Sequence, residues 1–230
     1  MRPKPKRRTK AQREAERTLT AYHEAGHLLA AWRWRGSTAA PERPRLLTIV
    51  PTPGRSWGHM RQATYALAAR DRRARELGHA LGFRRGMALL EVRVHLAGVA
   101  AEEVLTGARR FAPDDELAEC EGDLLVWLEC ASCWTRDYAS AQEALWIAYP
   151  RASDATSTRA LTREFLATKA FLAAHWPAVR AVAAALLEHG TLGPDELEAL
   201  AEAHPLNWRR WEHPAHRRWM RGLRAARLAA

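Results

Sequence analysis

The chain has 230 residues and 47% hydrophobic content, enough for one sizeable core with tails. Its net charge of +10 sits mainly at the ends, with eight Lys/Arg against two Glu in Met1–Arg17 and seven Arg against one Glu in Asn207–Ala230. Three cysteines argue against a disulfide framework, no apolar run is long enough for a transmembrane helix, and no apolar h-region follows the basic start, so a cytoplasmic location is expected.

Residues 1–17 read as a basic arm running into a helix. From Leu19 to Trp34 apolar residues recur at helical spacing, and Gly36 is a natural stop. Inside this helix lies Thr20-Ala-Tyr-His-Glu-Ala-Gly-His27. His23 and His27, four residues apart, project from one face one turn apart. That spacing lets two imidazole nitrogens reach a single metal ion at about 2.0–2.1 Å each. Glu24 follows the first histidine and stands beside the ion, where it can act as general base on a metal-activated water. Gly26 costs about 1 kcal/mol relative to Ala in a helix interior, which calls for a close packing contact there.

Arg45–Val50, closed by Pro51, reads as a strand, and Trp57–Met60 begins a second short one after the Pro51–Gly54 turn. The pair reads either as a plain structural hairpin or as an edge to which an extended peptide can add. Ala66–Arg85 is an Arg- and Ala-rich helical excursion. Met87–Leu105 is a long helix, with Val92, Leu96, Val99 and Ala100 at three- and four-residue spacing and Gly107 as its stop. Asp123 opens a further apolar helix, where the orphan N–H groups favour a carboxylate. Helices follow at about 158–176 and 177–189, with Gly190 at the end of the latter. Pro194 and Asp195 start a last helix that runs to about Ala203. No phosphate-loop pattern occurs, so no ATPase is legible.

These pieces, taken together, resemble the FtsH-type zinc peptidase domain, the proteolytic half of AAA-linked membrane proteases. TAYHEAGH is similar to that family's zinc helix. Leu47-Thr-Ile-Val-Pro51 with Trp57-Gly58 resembles the following strand and turn. Ala97-Gly98-Val-Ala-Ala-Glu102-Glu103-Val-Leu-Thr-Gly107 resembles its second helix, and Glu121-Gly-Asp123-Leu124 its metal-site aspartate. Leu186–Leu192 with Asp195-Glu196 is similar to a late helix-turn-helix. The resemblance implies a mainly α (α+β) zincin-like domain over residues 18–203, with a small hairpin or sheet beside the metal. Residues 1–17 and 204–230 are then basic tails.

It also implies one Zn2+ held by His23, His27 and Asp123, with Glu24 as catalytic base. As third ligand Asp123 competes with Glu102, and a carboxylate on a helix does not by itself separate the two. The resemblance favours Asp123 and leaves Glu102 to orient a ligand histidine. Glu103 is expected to be exposed or capping, and His59 is a candidate oxyanion donor. The implied activity is a metalloendopeptidase, ATP-independent by itself, acting on a polypeptide substrate with a separate ATPase or adaptor as a candidate partner. The alternative is a non-catalytic module that binds a protein, or a nucleic acid or anionic surface through its basic tails. Cys130-Ala-Ser-Cys133 lacks a partner pair and reads as buried small residues. Trp208, Trp211 and Trp219 read as the apolar side of a docking helix.

Overall fold

The computed structural model describes residues 9–32, 46–51, 59–61, 80–109, 111 and 133–206. Among them, in chain order, are α1 (Lys10–Trp32), β1 (Leu46–Thr48), β2 (His59–Arg61), α2 (Ala80–Thr106) and α3 (Cys133–Ala148), followed by α4 (Asp154–Ala174), α5 (Trp176–His189), β3 (Thr191–Leu192) and α6 (Pro194–Ala203). The fold is mainly helical with a small antiparallel sheet, as the spacing of apolar residues predicts.

α2 explains the arrangement. Ala88, Leu89, Leu90, Val92, Leu96, Ala97, Val99 and Ala100 are all buried and leave hardly any polar face. A helix apolar all round must be enclosed, and α1, α3 and α4 pack against it. α1 in turn lies against α5 and the sheet. Leu28, Leu89, Leu96, Leu145, Leu172 and Leu186 bring five helices into one core. Each contributes about 1.5–3 kcal/mol on burial.

α1 and α2 both start earlier than the sequence expectation, as does α4, which begins at Asp154 rather than 158. α1 starts at Lys10, so much of the basic arm is its opening turns. Thr9 and Gln12 explain this start: Thr9 Oγ1 accepts from the Gln12 N–H at 3.2 Å, while the Thr9 N–H donates to Gln12 Oε1 at 2.8 Å. This reciprocal pair satisfies two orphan donors. α2 starts at Ala80, inside the stretch read as a separate excursion. It ends as expected at Gly107, whose φ of +70° suits glycine.

The sheet has the order β2-β1-β3, both pairings antiparallel. β1 and β2 form the expected hairpin, in the register Leu46↔Arg61, Leu47↔Met60, Thr48↔His59. The third strand, Thr191–Leu192, falls within the expected late helix-turn-helix. Gly190 takes φ +75° to end α5 and turn the chain into β3. Its carbonyl accepts from the Ile49 N–H at 2.9 Å and from Thr48 Oγ1 at 3.2 Å, which ties α5 to the sheet.

Buried charge joins α2 to α4. Arg93 donates to Glu164 at 2.7 Å with both side chains buried. Glu103, expected to be exposed or capping, is 4% exposed. It accepts from Lys169 Nζ and from the Phe111 N–H. These partners offset the cost of burying it.

Among the described residues no single helix is long and apolar enough to cross a membrane. Trp57, Asp123, Cys130, Trp208, Trp211 and Trp219 lie outside the described residues, and of Cys133 and His59 only the backbone is described.

Candidate metal centre

The site is built where α1 crosses α2. A Cβ on Gly26 would meet the Ala97 carbonyl oxygen at 2.4 Å and the Ala101 Cβ at 2.8 Å. Only glycine lets the two backbones approach this closely. One turn earlier on α1, the imidazole of His23 lies over Gly98 of α2, where a Cβ would come within 2.4 Å of its Cε1 and Nε2. The two glycines bring the histidine-bearing face of α1 flush against α2.

His23, Glu24 and His27 are all buried, at 3%, 2% and 7% exposure. α2 holds both rings by their Nδ1 atoms. Nδ1 of His27 lies 2.6 Å from the carbonyl oxygen of Val94, and Nδ1 of His23 lies 2.7 Å from Oε1 of Glu102. A carbonyl can only accept, so Nδ1 of His27 carries a proton. The Glu102 carboxylate places a proton on Nδ1 of His23 in the same way. In their neutral forms both rings therefore present Nε2 lone pairs.

Those two Nε2 atoms stand 3.0 Å apart, and Oδ2 of Asp137 on α3 lies 3.0 Å from each. Asp137 is thus the third member of a group able to hold a metal ion. Three electron-pair donors converge on one point, which is electrostatically unfavourable unless a cation or protons fill it. A tetrahedral ion with ligands at about 2.0–2.1 Å sets them about 3.3 Å apart, close to this spacing. One oxygen of Glu24, Oε2, is buried with no hydrogen-bond partner among the described residues. A buried carboxylate oxygen left without a partner costs about 1–3 kcal/mol or more and marks a position prepared for another group. The residues present fit a metal.

The electrostatics agree. Burial opposes the charged form of His23, yet its hydrogen bonds to Asp137 and Glu102 outweigh it and hold the ring well above its ordinary pKa. Burial also opposes charge on His27, and Asp137 again reverses the sign. Burial pushes Asp137 up, but the two histidines pull its carboxyl far below the usual carboxylate range. Glu24 is raised, chiefly by burial.

The sequence reading and the structure differ over the third corner. Asp123, to which that corner was given, lies outside the described residues. Glu102, its rival, meets His23 at Nδ1, across the ring from the converging Nε2 atoms. Asp137 was missed because no helix was read over Cys133–Ala148. One signal was available. Asp137 stands in phase with Ala141, Ala144, Leu145 and Ala148, all buried on one face of α3. A carboxylate in the apolar stripe of a helix demands a partner.

No known family model matches the chain. It is 31% identical over 211 residues to a protein from Symbiobacterium thermophilum, the "ATP-dependent zinc metalloprotease FtsH 1". The chain is similar to an FtsH metalloprotease. The match covers 87% of this chain and 31% of that protein, so the chain spans under a third of its relative's length.

Proposed function

We propose that the chain is a zinc-dependent metalloendopeptidase whose metal ligands are His23, His27 and Asp137. The observation that carries this reading is the convergence of three lone-pair donors at 3.0 Å beside a buried, unpartnered Glu24 oxygen. Three protein ligands leave a fourth position for water or substrate, as catalytic rather than structural zinc sites do. Similarity to a zinc metalloprotease supports the choice of zinc and of peptide hydrolysis.

When bound there, zinc would lower the pKa of a coordinated water to about 7 and polarise a substrate carbonyl. The rest of the chemistry belongs to the chain. Glu24, raised by burial, accepts the proton of the attacking water and returns it to the leaving amine. Glu102 and the Val94 carbonyl fix both rings with their Nε2 lone pairs inward. Asp137 supplies the negative charge that offsets the cation, and α1 and α2 shield two sides of the site from water. Polypeptide is the proposed substrate. A separate ATPase or adaptor is the proposed partner for folded substrates.

The test pairs metal analysis with cleavage of an unfolded protein such as casein. Wild type should bind one zinc per chain and cleave in a chelator-sensitive way. Glu24→Gln should keep the zinc and lose turnover by about 10²–10⁴-fold, the usual share of general-base catalysis. Stoichiometric zinc without cleavage of any unfolded substrate would favour the non-catalytic binding module.

A further inference from the structure

We propose that His95 is a positioning residue for the metal centre, holding the second oxygen of Asp137 so that Oδ2 stays on the two histidines. This inference rests on the metal reading above and extends it to a residue that reading leaves unused. Along α2, the Val94 carbonyl, Gly98 and Glu102 recur every four residues and all touch the two histidine rings. They form one stripe facing α1. His95 is next to this stripe and turned toward α3. Its Nδ1 lies 3.9 Å from Oδ1 of Asp137, the oxygen other than the one that meets the two histidines. The His95 side chain is 34% exposed and that of Asp137 20%, so the pair sits at the solvent edge of an otherwise buried site.

The physical need is specific. A carboxylate that ligates through one oxygen keeps much of its charge on the other. Left alone, that second oxygen swings toward the cation or toward solvent. A donor on Oδ1 fixes the plane of the carboxylate and so the direction of Oδ2. At 3.9 Å the contact is longer than a hydrogen bond. A small rotation of a ring at the solvent edge closes the gap. His23 and His27 each have such a partner from α2, and His95 gives Asp137 its own from the same helix.

Zinc affinity, measured by competition with a chromophoric chelator, tests the proposal on wild type, His95→Ala, His95→Gln, Asp137→Asn and the His95→Ala/Asp137→Asn double variant. Circular dichroism checks folding, and a ring one-third exposed can be removed without opening the core. His95→Ala should weaken zinc binding about tenfold, the lower end for an outer partner of a metal ligand. His95→Gln, which keeps a donor, should recover most of it. The double variant should bind no more weakly than Asp137→Asn alone, because His95 acts through Asp137. Wild-type affinity in His95→Ala, or a fully additive loss in the double variant, overturns the proposal while leaving the metal site intact. Failure of the wild type to bind zinc, or unchanged binding by Asp137→Asn, overturns the metal reading and the His95 role with it.

Discussion

Gly98 of α2 lies directly beneath the ring of His23 of α1, so close that a Cβ there would stand 2.4 Å from Nε2, the atom that faces the other two donors. The position of one proposed ligand is therefore set by the absence of a side chain on another helix. Gly98→Ala should shift the ring away from His27 and Asp137. The expected cost is about 1–3 kcal/mol of stability, as for other overpacked cores, with a loss of zinc affinity of at least about tenfold. Thermal melts with and without zinc check both. An alanine variant that binds zinc like wild type would show that the ring is free to move.

Asp137 and Asp123 make opposite predictions. Asp137→Asn removes the charge that faces both Nε2 atoms at 3.0 Å, and should weaken zinc binding so far that the purified variant carries less than one zinc per chain, with residual affinity still measurable by chelator competition. Asp123→Asn should leave stoichiometric zinc in place. Metal analysis of the two purified variants decides, and loss of zinc from Asp123→Asn alone would return the third corner to that residue.

Glu102 should matter through His23. Glu102→Gln keeps a side chain within reach of Nδ1 but removes the charge at 2.7 Å. Zinc affinity should fall about 10–100-fold, the range for outer partners of ligand histidines. Chelator competition measures it. Complete loss of zinc would instead make Glu102 a direct ligand.

The pH dependence has a definite sign. His23 and His27 have folded pKa values above their ordinary 6.5. Their protonation stabilises the metal-free fold below that value and is lost as pH rises through the raised ones. Asp137 is depressed, so its contribution is present above the ordinary carboxylate range and disappears only as pH falls through its lowered value. A metal needs both histidines neutral, with Nε2 free of a proton. The rise in melting temperature on adding zinc should therefore grow from about pH 6 to about pH 8. A gain that shrinks over that interval would mean the metal binds elsewhere.

Much of this protein was legible in the sequence because the signals were local. The four-residue spacing of His23 and His27, with Glu24 between them, needs only helical geometry. Gly107 and Gly190 stop helices through their own backbone angles, and Val92, Leu96 and Val99 mark α2 as buried by period alone. Gly26, costly in a helix, pointed to a close contact that Ala97 and Ala101 supply. The capping pair Thr9 and Gln12 was equally local and marks a helix start that charge alone obscured. What only the tertiary structure decided depends on helices distant in sequence. Asp137 meets His23 across 114 positions, Glu102 meets it across 79, and His95 lies on a third side of the same carboxylate. No spacing rule reaches that far. A carboxylate becomes a candidate ligand by where its helix packs, and that packing is set by apolar surface spread over the whole chain.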